Sequence, residues 1–337
     1  MPIRKPLELV CPAGSLPALK AAVDNGADCV YIGFKDATNA RNFAGLNFDD
    51  AALAEGLRYA HTRGRRVLVA LNTYPPTADF ARWTAAVDRA AGLGANAIIL
   101  ADPGLMEYAV RVHPQLALHL SVQGSATNYE AIEFYRSRFG IRRAVLPRVL
   151  SLAQVEQVVA NTQVEIEVFG FGGLCVMVEG RCALSGYVTG ASPNCDGVCS
   201  PAKAVRWEQT PHGLETRLGG VLIDRYADAE RAGYPTLCKG RFRVLDETYY
   251  AIEEPTSLNT LELLPQLITA GVRAIKIEGR QRSPAYVQQV TRVWREAIDC
   301  ALREGDAFKR LPGWMSALAR VSEGQNHTLG AYYRPWK

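Results

Sequence analysis

The sequence predicts a TIM-type (β/α)8 barrel carrying a cysteine-rich, partly β insertion after its seventh strand. Three observations point there. Apolar runs of strand length alternate strictly with amphipathic helical stretches, eight times along the chain. The strand-like runs are continuously apolar, the pattern of a parallel sheet covered on both faces. The alternation breaks once, where roughly ninety residues follow the seventh run, far beyond an ordinary connection. An open doubly wound sheet is the competing architecture. No Gly-x-Gly-x-x-Gly follows the first strand, so nothing supports a dinucleotide fold.

Taken in order, the run 7–14 closes in Pro-Ala-Gly, and Ser15 is placed to cap the first helix with Pro17 in its first turn. The second strand is 28–34, followed by the polar loop 35–47 and a helix to about Arg63, capped by Asn47 or Asp49. Further strands are expected at 66–73, 95–101, 116–123, 142–147, 164–169 and 272–278. Helices are expected at 79–93, 104–112, 129–138, 152–160, 261–270 and 284–303. This divides the chain into barrel units one to seven at 1–172, a cysteine-rich insertion at 173–258, the eighth unit with closing helices at 259–305, and a tail at 306–337. Within the insertion, strand-like pieces begin at Val205, Gly220 and Tyr250. The tail's Trp314, Tyr332, Tyr333 and Trp336 are expected to pack on the barrel.

With 337 residues the chain is long enough for a sizeable core. Its 48% hydrophobic and 21% charged residues are ordinary globular composition, and a net charge of +4 permits an anionic partner without requiring one. No apolar run reaches the ~20 residues of a membrane span. Met1-Pro2-Ile3-Arg4-Lys5 does not resemble a secretory signal, so a cytoplasmic, reducing setting is expected and disulfides are disfavoured.

Five of the eight cysteines, Cys175, Cys182, Cys195, Cys199 and Cys238, fall within the insertion. Zinc favours close cysteine pairs, and only Cys195 and Cys199 approach one. His212, the sole histidine nearby, follows Pro211 in a turn-like segment. Thiolates without histidine suit an iron–sulfur cluster, while zinc and unligated buried thiols remain alternatives. Cys11 reads as a buried structural thiol. Because βα connections form the catalytic face of a barrel, the insertion is expected to lie over the active site.

Residues at the strand ends should share that mouth: Asn72, Asp102, Gln123, Arg148, Glu167 and Glu278, with Arg280 just beyond. An acid, an amide and a guanidinium around one mouth can bind and polarise a small anionic or carbonyl compound. Arg148 and Arg280 are the candidate carboxylate pair, since guanidinium offers a bidentate fork. Glu278, Asn72 and Gln123 are candidates for chemistry, and Arg41, in the loop after the second strand, for substrate contact. The competing reading makes several of these loop-end hydrogen bonders, with Glu278 and Arg280 simply paired to each other. Of the basic pairs, Arg65-Arg66 and Arg142-Arg143 read as solvated charge, and Lys239–Arg243 as a possible anion contact beside Cys238. No Gly-x-Ser-x-Gly or His-Glu-x-x-His motif is present, so the residues give a protease no independent support.

The stretch Glu167-x-Phe169-x-x-Gly172-x-Leu174-Cys175-x4-Gly180-x-Cys182-x-Leu184-Ser185 resembles the signature of a collagenase-like peptidase family of unknown catalytic type (class U, number thirty-two). It departs at Gly173, where the family usually has Ser or Ala. The resemblance extends to 9–15, 39–43, 253–259 and 276–280, and the whole set is most similar to the family's ubiquinone-biosynthesis, UbiU-like branch. What it implies is a [4Fe-4S] cluster on Cys175, Cys182, Cys199 and Cys238, with Cys195 an extra thiol. It further implies O2-independent hydroxylation of the aromatic ring of ubiquinone precursors, with prephenate as possible hydroxyl donor. The implied partners are a UbiV-like paralogue, forming a heterodimer, and a lipid-carrying accessory protein. Rival readings are an RNA-base hydroxylase of the same family (those members tend to carry a further C-terminal domain), a true protease, and a non-catalytic cluster-bearing scaffold.

Overall fold

The computed structural model describes residues 7–177 and 180–334, apart from the side chains at 195, 196 and 325. Seven parallel strands, β1 (Glu8–Pro12), β2 (Cys29–Ile32), β3 (Arg66–Leu71), β4 (Ala97–Leu100), β5 (Ala117–Leu120), β6 (Arg143–Val145) and β7 (Glu165–Gly173), pair in sequence order. An eighth, β14 (Ala274–Ile277), pairs with both β1 and β7 and closes the barrel. Each strand is short and almost wholly buried, as the apolar runs require. Helices α1 (Leu16–Asp24), α2 (Asp50–His61), α3 (Phe80–Gly92), α4 (Pro103–Val112), α5 (Tyr129–Phe139), α6 (Leu152–Ala160), α9 (Leu264–Ala270) and α10 (Pro284–Glu304) lie between and after the strands. Their starts follow the sequence: Ser15, Asp49, Asp102, Asn128, Ser151 and Ser283 each accept a backbone N–H of the first turn. Asp49, not Asn47, caps α2.

Between β7 and β14 the chain forms α7 (Ala183–Thr189), the single turn α8 (Pro193–Asp196), a three-stranded antiparallel sheet of β8 (Val205–Thr210), β9 (Gly213–Leu218) and β10 (Val221–Tyr226), and the hairpin of β11 (Arg241–Val244) and β12 (Glu247–Tyr250). The piece expected to begin at Tyr250 instead ends there. His212 lies in the turn between β8 and β9. A short strand β13 (Ser257–Asn259) then runs antiparallel to the end of β7 and parallel to β15 (His327–Thr328), tying the tail to the barrel rim. In the tail, Trp314 of α11 (Pro312–Ala319) is buried, stacks on Phe308 and donates to Glu296, and the Tyr332 hydroxyl reaches the Phe169 carbonyl. Tyr333 is exposed, and Trp336 lies outside the described residues.

The barrel interior is divided. Val10, Cys29, Tyr31, Leu68, Ala70, Ala97, Ile99 and Ala274 form an apolar cluster across β1–β4 and β14. On the β5–β7 side it gives way to buried His119, Arg143 and Glu167, with Lys276 of β14 facing them. Arg143 is 1% exposed and donates to Glu8, Glu165 and Glu167. The expectation that the basic pairs are solvated charge is therefore wrong for Arg143; Arg65 and Arg66 stay partly exposed, paired with Asp28 at 2.9 Å and with Glu8 at 2.6 Å. Cys11 is buried and accepts the Thr291 hydroxyl, and burial pushes its thiol up to about 12, away from reactivity.

Candidate active site

The C-terminal ends of the strands open into a cavity of about 610 Å³, counted out to solvent. Arg41, Asn72, Gln123, Arg148, Glu278 and Arg280 all line it. Tyr31, Phe169 and Lys276 line it too, and sequence reading passed them over. A signal for Lys276 was present. Lys276, Glu278 and Arg280 are spaced two apart, the period that puts side chains on one face of a strand, and Lys276 is the lone charge in a buried strand.

Two residues expected at the mouth are elsewhere. Asp102 accepts the Leu105 amide at 2.8 Å and caps α4. Glu167 lies deeper in the barrel because β7 continues past its predicted end at Phe169 to Gly173, drawn out by pairing with β13. There Glu167 accepts Lys276 Nζ at 2.6 Å and Arg143 Nη1 at 3.3 Å. Burial alone would raise its carboxyl, but Lys276 and Arg143 outweigh that and hold it below the usual range. Burial lowers Lys276 in turn, against the pull of Glu167, and its ammonium lies 4.0 Å from the centre of the Tyr31 ring. Tyr31 is fixed by its hydroxyl, which donates to the Ile277 carbonyl at 2.8 Å.

Above this floor, Arg280 is 5% exposed, and Nη1 donates to Asn39 Oδ1 at 3.1 Å. Gly33 permits the approach, since a Cβ there would come within 2.5 Å of both Arg280 and Asn39. Burial presses Arg280 down to about 10; Tyr31 and Glu278 oppose this and Arg41 adds to it. Its hydrogen-bond partner among the described residues is an amide, not a carboxylate. Glu278 instead accepts the Gly173 amide at 3.3 Å. Burial would raise its carboxyl, but Arg41, Arg148 and Arg282 together with that amide hold it low. Gly172, at φ +122°, lets β7 pass beside Glu278, where a Cβ would lie 2.6 Å from the glutamate Cβ. Arg148 Nη1 donates to the Gly173 carbonyl, and its guanidinium covers the Phe169 ring at 4.3 Å. Gln123 is buried, and among the described residues neither its amide nitrogen nor its amide oxygen has a hydrogen-bond partner.

The cysteine segment fastens onto this rim. Arg181 donates to the Gln123 carbonyl at 3.1 Å, Asn194 brackets the Tyr74 backbone at 2.9 and 3.1 Å, and Arg41 reaches the Gly197 carbonyl at 3.4 Å. Gly180 lines the cavity against Gln123. Cys182 caps α7 by accepting the Ser185 amide. Burial pushes Cys238 up to about 12 against the opposing charge of Lys239, and the Cys199, Cys175 and Cys182 thiols add to the rise, so the four are electrostatic neighbours. Among the described residues no three His, Cys, Asp or Glu side chains stand close enough to hold a metal ion as they are. A cluster would have to draw the four thiols in. As a donor set, four sulfurs and no histidine suit iron–sulfur rather than zinc. The Cys195 side chain lies outside the described residues. Lys239 to Arg243 do not form an open anion patch: Lys239 pairs with Glu323, Arg241 with Asp224 and Glu230, and Arg243 with Asp246.

Among the described residues, the cavity wall carries one serine, Ser121, and no histidine. The serine–histidine contact found among the described residues, Ser322 with His327, is not part of the cavity wall, and the Ser322 hydroxyl donates to the Leu318 carbonyl. No described helix is long and apolar enough to cross a membrane.

Residues 14–335 match the family model described as Peptidase family U32. An uncharacterized protease of Methanocaldococcus jannaschii is 32% identical over 97% of this chain and 73% of its own length. The tRNA hydroxylation protein P1 of Bacillus subtilis is 29% identical over 97% of this chain and 71% of its own. The tRNA hydroxylation protein P of Escherichia coli is 31% identical, covering 87% and 68%. A U32 peptidase of known structure superposes with a TM-score of 0.42 at 14% identity, covering 49% of this chain and 68% of that one. With a closed (β/α)8 barrel, a cysteine segment clasped over its mouth and a family match along nearly its whole length, the chain belongs to peptidase family U32.

Proposed function

We propose that this chain is an iron–sulfur hydroxylase that adds a hydroxyl group to the aromatic ring of ubiquinone precursors without O2. In this reading it works as a heterodimer with a UbiV-like paralogue and with a lipid-carrying accessory protein, and prephenate is the candidate hydroxyl donor. The observation that carries it is the cavity itself: a cation-rich site with aromatic walls, to whose rim the cysteine-bearing segment is fastened. Relatives named for hydroxylation support a hydroxylase over a protease. The branch assignment rests on the residue pattern around Cys175–Ser185 and on 276–280.

Cys175, Cys182, Cys199 and Cys238 would hold a [4Fe-4S] cluster, which when bound supplies one-electron and Lewis-acid chemistry. The chain's own residues do the rest. Arg280, Arg148 and Arg41 bind and orient a dicarboxylate, the Glu278 carboxylate sets a fixed negative charge among them, and Phe169 offers a face to a planar ring. The Lys276–Glu167 pair places a fixed ammonium on the floor, where it can donate to a ligand oxygen.

The test is anaerobic loading with iron and sulfide, followed by incubation with a ubiquinone precursor, prephenate and the UbiV-like protein. Mass spectrometry should find a ring carrying one more oxygen. A chain that takes up no iron and sulfide, or a loaded complex that leaves the ring untouched, would overturn the reading. The names of the relatives favour a second reading, hydroxylation of an RNA base. Nucleoside analysis of tRNA and rRNA incubated with the same loaded protein separates the two.

A further inference from the structure

Arg41 occupies a position that neither the cavity nor the cysteine segment alone explains. Its guanidinium lines the cavity, where its charge bears on Glu278 and Arg280. The same side chain donates to the carbonyl of Gly197, two residues before Cys199, and its charge also acts on the Cys199 thiol. The backbone is committed to the contact: a Cβ on Gly197, at φ +79°, would lie 2.5 Å from the Asn42 nitrogen. The loop's own bonds fix Arg41 in place. Its N–H donates to Asn39 Oδ1 at 2.9 Å, its carbonyl accepts Asn47 Nδ2 at 2.7 Å, and Asn39 also holds Arg280. Arg280 is held from the barrel side instead, by Asn39.

We propose that Arg41 is a positioning residue shared by two sites, holding an anion at the mouth while its charge sets the reduction potential of the cluster on the cysteine segment. The inference rests on the iron–sulfur reading above and adds to it a residue that ties donor binding to cluster electronics. A fixed cation stabilises whichever form carries more negative charge. Arg41 therefore favours the reduced cluster and the bound anion alike. Removing the charge lowers both the potential and the anion affinity. A residue that only latched the loop would change cluster occupancy and leave the potential of the remaining clusters unmoved.

The experiment uses the full chain, loaded anaerobically, in wild-type form and as Arg41→Gln, Arg41→Lys and Arg280→Gln. Arg41→Gln keeps a hydrogen-bonding side chain for the Gly197 carbonyl while removing the charge. The remaining clasps, Arg181 to Gln123 and Asn194 to Tyr74, still seat the segment. Iron content, the cluster potential by dye-mediated titration, and the dissociation constant for prephenate by calorimetry are measured on each. Arg41→Gln is expected to retain iron, bind prephenate at least tenfold more weakly, and shift the reduction equilibrium about tenfold toward the oxidised cluster, which is about 59 mV for one electron. Arg41→Lys should recover most of the potential but little of the affinity, because ammonium keeps the charge and loses the fork. Arg280→Gln should weaken prephenate with little change in potential. An Arg41→Gln protein with wild-type potential, or one whose potential moves no more than that of Arg280→Gln, overturns the shared role. Failure of the wild-type chain to take up iron and sulfide would instead remove the iron–sulfur reading on which it rests.

Discussion

Arg280→Met should make the ligand-free protein more stable and less able to bind its anion. The guanidinium is almost fully buried, bonded to an amide, and pressed well below its ordinary value to about 10, with burial as the largest cause. For a base the sign is simple. With both folded and unfolded values above neutrality, the group is charged in both states at pH 7. The whole downward shift is then a penalty on folding, relieved only once the pH climbs past about 10. At 1.36 kcal/mol per unit the penalty is about 3 kcal/mol. Deleting the charge recovers it, less about 1 kcal/mol for the lost hydrogen bond. Asn39 Oδ1 is not stranded, because it also accepts the Arg41 amide. Methionine fills much of the same volume, so the expected net is a gain of about 1–2 kcal/mol in urea unfolding at pH 7. A carboxylate seated on Arg280 removes the same penalty in the wild type, so its loss should weaken prephenate binding by about 3 kcal/mol, roughly a hundredfold. Calorimetry on cluster-loaded protein reads the second number. A variant that is less stable than wild type by a kilocalorie or more, with unchanged affinity, would show that Arg280 is structural and refute the argument.

Cys175→Ala, Cys182→Ala, Cys199→Ala and Cys238→Ala should each abolish iron binding in anaerobic loading, while Cys195→Ala keeps it; iron and sulfide counts decide. Lys276→Met should lower stability by about 3–5 kcal/mol, since it leaves buried Glu167 with Arg143 alone. Adding Glu167→Gln should restore most of that in chemical denaturation. Burial holds the His119 imidazole down to about 3, so below pH 6.5 the unfolded chain takes up a proton that the folded one does not. Stability from this residue should be complete above 6.5 and fall by about 2 kcal/mol by pH 5; His119→Gln should flatten that part of the profile.

What could be read in advance depended on whether the signal was local. All eight barrel strands are short apolar runs, and helix starts such as Ser15, Ser151 and Ser283 are set by a side chain and the N–H groups of the first turn, so sequence suffices for both. Asn72, Gln123, Arg148, Glu278 and Arg280 were found because a parallel barrel sends its strand ends to one mouth. Glu167 was misplaced because the length of β7 is decided by a non-local partner, β13, some ninety residues later. Asp102 was misread for the opposite reason, since a local demand, capping α4, claimed its carboxylate first. Arg143 looked like a solvated pair with Arg142, yet it sits on the inward-facing register opposite His119. A single charge inside a strand is evidence of an ionic interior, and only its partners Glu8, Glu165 and Glu167, from two other strands, make that visible.

That ionic interior constrains the chemistry above it. Layers of branched apolar side chains usually fill a barrel of this size. Here the half formed by β5–β7, with Lys276 facing it, is a chain of alternating charges running from Glu8 and Glu165 through Arg143 and Glu167 to Lys276 at the cavity floor. Each charge is satisfied by its neighbours, so the network is stable as a unit and intolerant of single losses. Its uppermost member presents an ammonium beneath a site already rich in guanidinium groups. A purely apolar ligand reaching that depth would leave the Arg280 guanidinium, whose partner is a neutral amide, dry and without a counter-charge. The deep half of the cavity therefore favours an oxygen-rich, anionic compound over an apolar one.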